Sequence, residues 1–588
     1  MAGSRLVVGL DYGTTYTGVS FCEISDSTLE HQHIEVVHDW PSRHGKIGTK
    51  EKVPSEVAYL KEGLRWGSDI PPHEKRHMWT KLELDNRGDG EAAMVIGETV
   101  SSFGVRKPPV EIVADFLAQV KAHLIKNLDD KYGKELWRTL PITLVVTVPA
   151  VWSDVAKHRT MQAIEKAGFN SLEFRELRMP IIVTTEPEAA ALYTIKTLRG
   201  TSQDTKLAVG DGFIVCDMGG GTVDLIAYRV ASVQPTVIEE ATVGNGAQCG
   251  GSFIDRAFLQ WLELRLGTDD FIKIAGCRSE ELPRTSLNRK AAKLLQDFTM
   301  EVKSGFSGTQ TNYLLLPNPL SAIDDDEKRG ISDGDLKITA GDTRAMFDSS
   351  IFQTYELIQE QIKRARESNI KIKYLFLVGG FSESPYMFSK IKSFVEKQEI
   401  QAIRPLYAWS AVVRGAVTKG IEQGSGAILK RKSRRHYGTS YSSRFNKRVH
   451  NKADMYVDEY DGQRWARNQM SWLIQRGQDM HASDATHAAV EIVSNWWVDE
   501  ARTDKWKLLA CDVDNAPSRS VEKSIYHVAT LTSDLSDLPT KEMKLKTSSS
   551  GRKYYSVDCT VNISLQSALD FFITVKGKKL GSLTVSYD

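Results

Sequence analysis

Short apolar runs that end at an aspartate occur twice in this chain. Leu6–Leu10 precedes Asp11, and Phe213–Cys216 precedes Asp217. Each aspartate is followed by a glycine-containing turn and a second apolar run, a pattern that predicts a buried strand, a tight turn and another strand. A chance glycine turn has no reason to recur with an aspartate at the same offset. The chain therefore contains an internal repeat, and two similar α/β lobes are predicted.

Helix and strand patterns fill the intervals around these repeats. Apolar residues at helical spacing predict a helix within 110–128, and the continuous apolar run Ile142–Val148 predicts a buried strand. Glu186 stands just before Pro187, which suits the first turn of a helix. A third strand, glycine pair and helix start occur within Tyr374–Pro385. This order of elements predicts an α/β architecture with strands that end in polar turns.

Strict alternation of apolar and polar residues begins only near the C terminus. Positions 555–565 and 569–575 alternate with a period of two, which predicts antiparallel strands with one buried face. The composition changes at Lys430–Arg435, a basic run compatible with a localisation signal, an anionic contact or a solvated linker. We therefore predict a first domain over 1–424, with lobes at about 1–205 and 206–424, and a β-rich C-terminal domain over 425–588.

Composition narrows the classes of protein to which the chain can belong. The chain has 588 residues, of which 41% are hydrophobic, and it is too long to form a single core. Its net charge of +1 provides no general attraction for nucleic acid or anionic membrane. The six cysteines form no CxxC pair, so a disulfide scaffold or zinc site is not expected. Without an apolar leader or an apolar stretch of about 20 residues, the expected location is the cytoplasm, with the nucleus as an alternative.

The glycine turns point to phosphate chemistry. Gly219, Gly220 and Gly221 have no Cβ, so phosphate oxygens can approach their backbone N–H groups. The flanking Asp217 and Asp224 would repel phosphate, and their expected partner is the divalent cation that accompanies a nucleotide. Taken alone, the turn is equally compatible with a glycine-rich hairpin bearing solvated aspartates, and Glu186 with an ordinary acidic helix cap. The second copy at Asp11 favours the nucleotide interpretation.

Five motifs in this chain resemble, in their order and content, the 70-kDa heat-shock protein (DnaK-type) family within the actin-like ATPase superfamily. They are Gly9–Tyr16, Val146–Ala150, Thr185–Ala191, Asp217–Asp224 and Val378–Ser382. The resemblance extends from residue 1 to about 424. It implies a two-lobed, duplicated actin-like (RNase H-like) ATPase fold, here followed by a smaller, mainly β C-terminal domain.

The same resemblance implies a set of site residues, with ATP or ADP and Mg²⁺ as cofactors. The implied metal-binding carboxylates are Asp11, Asp217 and Asp224. The implied catalytic residues are Lys81, Glu186 and Asp217, with Glu186 orienting the attacking water. The implied nucleotide contacts are Gly13, Thr14, Thr15, Gly219, Gly220, Gly221, Thr222, Glu301, Gly379, Gly380 and Ser382, with Lys303 near Glu301.

The chain also departs from that family. A basic run replaces the acidic and apolar interdomain linker, no helical lid precedes Asp588, and Ala408–Ala416 resembles a divergent, lidless branch. The predicted function is an Mg²⁺-dependent, slowly hydrolysing ATP-binding protein of chaperone type, whose C-terminal domain binds unfolded or partner proteins. No nucleic acid or membrane partner is predicted. The alternatives are a nucleotide-gated scaffold or sensor with little turnover and, ranked lower, a small-molecule kinase or a filament.

Overall fold

The computed structural model divides the chain into two compact units, Met1–Ala427 and Ile428–Asp588. It describes residues 4–24, 33–42, 50–85, 107–150, 152–198, 207–233, 236–422, 428–481, 486–536, 538–565, 569–579 and 584–586. The predicted domain boundary between 424 and 425 and the predicted lobe boundary near 205 lie outside these residues. Among the helices so described, none is both long enough and apolar enough to cross a membrane.

The first lobe is built on a mixed sheet in which Asp11 ends a central strand. Across the sheet the strands are Glu35–Val36, Tyr16–Ile24, Arg5–Asp11, Ile142–Val148 and Leu177–Thr185, and Val53–Pro54 also pairs with Tyr16–Ile24. The helices of this lobe are Thr80–Leu84, Pro109–Tyr132, Asp154–Lys166 and Glu186–Leu198, with a 3₁₀ turn at Trp137–Thr139 and a hairpin of Val57–Leu60 with Gly63–Trp66. Every residue of Ile142–Val148 is buried, as expected of a parallel strand covered on both faces.

The second lobe repeats the arrangement of the first. Across its sheet the strands are Gln401–Ile403, Ile372–Val378, Gly212–Met218, Val223–Ser232 and Val237–Glu240, and Asn245–Ala247 also pairs with Val223–Ser232. Its helices are Gly251–Leu266, Thr268–Ala275, Arg289–Asp297, Ala340–Glu367, Pro385–Glu396 and Ala411–Ile421, with a π-helical segment at Phe298–Lys303 and 3₁₀ turns at Leu320–Ala322, Gly380–Glu383 and Ala408–Ser410. A small sheet of Asn312–Leu315, Asp335–Ile338 and Ile331–Ser332 completes it.

The two sheets have the same strand order and the same strand directions. In each, an antiparallel hairpin carries the aspartate, and a parallel strand lies on the other side of the aspartate strand. A long helix precedes that parallel strand in both lobes, Pro109–Tyr132 in one and Ala340–Glu367 in the other. The predicted duplicated, two-lobed fold is therefore confirmed.

The helix Ala411–Ile421 packs on the first sheet although it follows the second in sequence. It lies against the helix Glu186–Leu198, and its Ala416 and Val417 share a core with Val7 and Val145. At the crossing, a Cβ added to Gly415 would lie 1.8 Å from the backbone oxygen of Ala189. The absence of a side chain at Gly415 thus sets how closely these two helices approach.

The C-terminal unit is a β-sandwich. The strands of one sheet follow the order Met455–Val457, Arg464–Ile474, His436–Arg444, Thr503–Cys511, Ile525–Asp534 and Thr584–Ser586. The strands of the other follow the order Thr486–Trp497, Lys553–Leu565, Leu569–Val575 and Lys578–Lys579. Lys544–Thr547 also pairs with Lys553–Leu565. Both sheets contribute to one core that includes Leu508, Leu531, Trp496 and Val561. Val557, Cys559, Val561 and Ile563 are buried while Asp558 is exposed, which confirms the period of two. Short 3₁₀ turns occur at Lys452–Asp454 and Thr540–Glu542.

The basic run at Lys430–Arg435 is not the solvated linker that was one interpretation of its sequence. Ile428–Lys432 is a strand paired with Asp479–His481. Lys432 Nζ donates to Asp479 at 2.7 Å, and Arg435 Nε donates to Asp512 at 2.8 Å. At least two charges of the run, those of Lys432 and Arg435, are thus paired with carboxylates of their own unit.

The close helix crossing yields a stability prediction. Gly415→Ala should lower the thermal unfolding midpoint of the first unit, because its methyl group cannot fit beside Ala189 without moving one helix, at a cost of about 1–3 kcal/mol or more. Gly305→Ala is the matched control, since a Cβ there meets no atom within 4 Å and its backbone is not left-handed. Equal midpoints for the two variants, measured by calorimetry, would contradict the prediction.

Candidate functional site

The two glycine turns meet face to face in the first unit. A Cβ added to Gly220 would lie 2.6 Å from the hydroxyl oxygen of Thr15, and one added to Gly221 would lie 3.3 Å from the methyl carbon of Thr14. The repeated hairpins therefore place their turns in contact, as the internal repeat predicts. Only a residue without a side chain fits at Gly220 in this arrangement.

A cavity of about 720 Å³ opens beside these turns. The predicted site residues among its lining are Asp11, Gly13, Thr14, Thr15, Lys81, Glu186, Asp217, Gly219, Gly220, Gly221, Thr222, Asp224, Gly379 and Gly380. The structure thus brings motifs from five separate segments of the chain to one place. The lining also includes the apolar side chains of Leu259, Leu287, Leu295 and Phe381.

Two predicted residues do not line this cavity. Glu301 is exposed, whereas Thr299, Lys303 and Ser304 of the same segment line the wall. The segment Phe298–Lys303 is π-helical, which shifts the residues that face inward relative to an α-helix. Ser382 is fully buried and its hydroxyl donates to the backbone oxygen of Gly379 at 2.7 Å. Ser382 therefore holds the third glycine turn through its hydroxyl, and its predicted contact with nucleotide stays a prediction.

Asp11 is buried and fully paired within its own lobe. Lys52 Nζ donates to its Oδ2 at 2.7 Å, and the Thr147 hydroxyl donates to its Oδ1 at 2.8 Å. Burial alone would raise the pKa of Asp11, but the nearby Lys52 and Lys81 ammonium groups and these hydrogen bonds hold it below its usual value. The carboxylate is thus ionised, and both of its oxygens already have a donor.

Lys81 and Glu186 form another buried ion pair beside the cavity. Lys81 Nζ donates to Glu186 Oε1, and it also lies 5.6 Å from the centre of the Trp152 ring. Glu186 is the first residue of the helix Glu186–Leu198. Burial raises the pKa of Glu186 despite Lys81, and the charges of Asp11 and Asp224 raise it further. A buried carboxylate with a raised pKa is typical of groups that accept protons in catalysis.

Asp217 and Asp224 form the anionic side of the site. They are directly opposed across the antiparallel hairpin, a position in which like charges repel. Burial raises the pKa of Asp217 to about 7, with further contributions from Glu186, Asp11 and Asp224. Within the described residues no side chain or backbone group donates a hydrogen bond to the Asp217 carboxylate. This carboxylate is available to a cation.

The donors present fit a hydrated divalent cation only in part. No three histidine, cysteine or carboxylate side chains of the described ranges converge closely enough to hold a metal by themselves. Mg²⁺ usually keeps several waters and shares phosphate oxygens, so one or two carboxylates suffice. Asp217, whose carboxylate accepts no hydrogen bond from the described residues, satisfies that requirement. Asp11 does not, because Lys52 and Thr147 occupy its oxygens, and its role as a metal ligand stays a prediction.

Several lining residues carry no sequence signal that would have identified them. Lys52 lies in an ordinary Lys-Val-Pro-Ser segment. Trp409 stacks edge-on to Tyr16, with ring centres 5.7 Å apart, and a Cβ on Gly380 would lie 2.9 Å from its indole. Trp79 has a left-handed backbone, φ 59°, where the Lys81 helix begins. Such a conformation in a bulky residue is strained and is often found at functional sites.

The paired glycine turns, the duplicated sheets and the cavity between them define the actin-like ATPase fold with a nucleotide-binding domain. A family model described as "Hsp70 protein" matches residues 76–451, and one described as "Domain of unknown function (DUF8568)" matches residues 431–585. The first match covers more than half of the chain, so the chain belongs to the Hsp70 family.

Similar curated proteins support the same assignment. The chain is 25% identical to "Heat shock 70 kDa protein 12A" of Homo sapiens over 553 residues, which covers 81% of this chain and 77% of that protein. It is 24% identical to "Heat shock 70 kDa protein 12B" of Homo sapiens, covering 79% and 75%. It is 26% identical to "Chaperone protein DnaK" of Thermosipho melanesiensis, covering 72% and 61%.

The repulsion at Asp217 yields a pH prediction for the ligand-free protein. Its pKa of about 7 lies above the 3.8 of an unperturbed aspartate. The folded state therefore holds a proton that the unfolded chain has released, and this contribution to stability falls as pH rises from about 4 to about 7. Asp217→Asn cannot ionise, so its unfolding midpoint should exceed that of the wild type at pH 8 and differ less at pH 5.

Asp11→Asn is the matched contrast, because it leaves the buried Lys52 without its partner and should destabilise the fold by about 3–5 kcal/mol at pH 8. Both variants are compared with the wild type by thermal unfolding at pH 5 and pH 8, without nucleotide or metal. An identical pH dependence for the wild type and Asp217→Asn would show that Asp217 does not carry the predicted shift.

Proposed function

We propose that the first unit binds ATP or ADP in this cavity and hydrolyses ATP slowly. The observation that carries the proposal is the meeting of the two aspartate hairpins, the third glycine turn and the Lys81–Glu186 pair around one cavity of about 720 Å³. That volume falls in the usual range of small-molecule sites. The match to the Hsp70 family model favours the same assignment.

The phosphate-binding part of the proposal rests on the two glycine turns. Gly220 and Gly221 have backbone N–H groups without side chains beside them, while the Gly219 N–H donates to the Thr222 backbone oxygen at 2.9 Å. The hydroxyl of Thr15 faces Gly220, and the methyl group of Thr14 faces Gly221. Backbone N–H groups of such turns bind anions well. A hydrated Mg²⁺ at Asp217 and Asp224 would neutralise charge on the phosphates. The apolar wall near Leu295 and Phe381 suits a base, with Gly379 and Gly380 at the turn beside it.

The hydrolytic part rests on Lys81 and Glu186. Phosphoryl transfer needs mainly positioning and charge stabilisation. Lys81 would stabilise charge that develops on the terminal phosphate, and Glu186 would orient the attacking water and accept its proton. Burial and neighbouring carboxylates raise the pKa of Glu186, which makes its carboxylate a better proton acceptor than an unperturbed glutamate.

A second candidate is a nucleotide-gated scaffold with little turnover. In the structure Lys81 donates to Glu186, and Lys52 donates to Asp11. The two candidate catalytic groups, Lys81 and Glu186, are thus hydrogen-bonded to each other. If nucleotide does not separate them, binding would stabilise a conformation without promoting hydrolysis.

Single-turnover hydrolysis distinguishes the two candidates. Lys81→Ala and Glu186→Ala should each slow hydrolysis of bound ATP by about 10²–10⁴-fold, the usual contribution of a positioned acid or base. Glu186→Gln is the conservative control for packing, and the affinity for nucleotide is measured for each variant. Equal rates for the wild type and both alanine variants, with binding retained, would refute the ATPase and favour the scaffold.

We further propose that the C-terminal β-sandwich binds unfolded or partner proteins and responds to the nucleotide. The relatives named "Chaperone protein DnaK" and "Heat shock 70 kDa protein 12A" motivate a role of chaperone type. The separate family model over residues 431–585 favours a ligand that differs from that of the better-known chaperones.

Limited trypsin proteolysis tests the coupling. Lys432 and Arg435 are paired with Asp479 and Asp512 in an ordered strand region, so cleavage there reports opening of this strand. Exchange of ADP for ATP should change the cleavage rate at 430–435, while the exposed turn at Lys576–Lys579 serves as an internal reference. Cleavage at both places that is indifferent to nucleotide would rule the coupling out.

A further inference from the structure

The first glycine turn has a built-in ammonium group, supplied by Lys52. This residue is only 7% exposed, and its Nζ donates to Asp11 Oδ2 at 2.7 Å. It also lines the cavity together with Thr14 and Thr15. A positive charge therefore lies in the wall of the cavity at the place where the family resemblance implied a metal ligand.

The space for Lys52 exists because the two hairpins differ at one matched position. Asp217 is opposed by Asp224 across the second hairpin, and Asp11 is opposed by Gly18 across the first. A Cβ added to Gly18 would lie 3.2 Å from Lys52 Cγ and 3.3 Å from Lys52 Cε. The lysine chain thus crosses the surface that Gly18 leaves empty. The first hairpin has an ion pair where the second has two carboxylates.

The Lys52 ammonium retains unused hydrogen-bonding capacity. A lysine ammonium has three N–H donors. Asp11 is its hydrogen-bond acceptor in the described part of the chain, and one donor suffices for that bond. A buried ammonium with donors left over, in the wall of a cavity, is suited to an anionic oxygen, since charged hydrogen bonds are stronger than neutral ones.

We infer that Lys52 is a phosphate-binding residue, whose ammonium group supplies positive charge at the first glycine turn. As a consequence, this chain binds nucleotide with only a weak requirement for a divalent metal. The inference rests on the proposed nucleotide binding. Without Lys52, Asp11 would repel a phosphate at this turn, and a metal would have to neutralise it. The Lys52 ammonium group neutralises the Asp11 carboxylate and so removes that repulsion.

The test compares the affinity for a fluorescent ADP analogue in Mg²⁺ and in EDTA. Wild-type affinity should fall by less than about tenfold on chelation, whereas Lys52→Met should lose about 10–100-fold more in EDTA, the equivalent of one charged hydrogen bond. In Mg²⁺ the difference between the two should be smaller. Lys52→Arg should retain the wild-type behaviour because it keeps the charge.

Two further variants keep the test independent of folding. Lys52→Met/Asp11→Asn removes both charges and leaves no unpaired buried ion. Lys50→Met is the neighbouring control, since this half-buried lysine lies outside the cavity lining. If the wild type and the double variant lose affinity equally in EDTA but bind in Mg²⁺, the inference is wrong and nucleotide binding stands. If neither binds in either buffer, the proposed function fails as well.

Discussion

The crowding of buried carboxylates at the glycine turns is the constraint on which the candidate site depends. Asp11, Glu186, Asp217 and Asp224 all lie around one cavity, and the first two and Asp224 each raise the pKa of Asp217. Burial disfavours charged carboxylates, and like neighbours disfavour them further. Lys52 and Lys81 donate hydrogen bonds to Asp11 and Glu186, whereas Asp217 accepts no hydrogen bond from an ammonium group in the described part of the chain. Asp217 is therefore the carboxylate at which an external cation gains most.

The position of Glu186 depends on a contact far from any charge. Glu186 begins a helix whose Ala189 touches Gly415 of the last helix of the first unit. Any side chain at Gly415 would push the two helices apart and displace the first turn that carries the carboxylate. Glycine at a helix interior costs about 0.5–1 kcal/mol relative to alanine, so its use here reflects the close crossing. The absence of a side chain at Gly415 thus affects both the packing of the two helices and the position of Glu186 in the site.

The sequence predicts the duplicated fold well because the repeat is local. An apolar strand, an aspartate and a glycine turn are contiguous in both copies, and so are the alternating strands around Cys559. Prediction from the sequence fails where the position of a side chain depends on a residue distant in sequence, or where the backbone geometry is irregular. The π-helical segment turns Thr299 and Lys303 inward instead of Glu301.

Lys52 is 41 residues from Asp11, and nothing in its own segment indicates burial. The basic run at Lys430–Arg435 has the composition of a linker, but its charges pair with Asp479 and Asp512, which lie far away in sequence. In both cases the decisive partner is a carboxylate that only folding brings close.

The two hairpins show how a duplicated site becomes asymmetric. Their backbones pair in the same register, with Asp11 opposite Gly18 and Asp217 opposite Asp224. One side chain at this matched position decides whether the turn adds a second negative charge or leaves room for a lysine. Lys52 and Lys81 form their hydrogen bonds with carboxylates of the first lobe. Lys52 also lowers the pKa of Asp217, but burial and the neighbouring carboxylates still hold that pKa at about 7. The first hairpin thus carries its own positive charge, whereas Asp217 in the second hairpin retains an affinity for a proton or a cation.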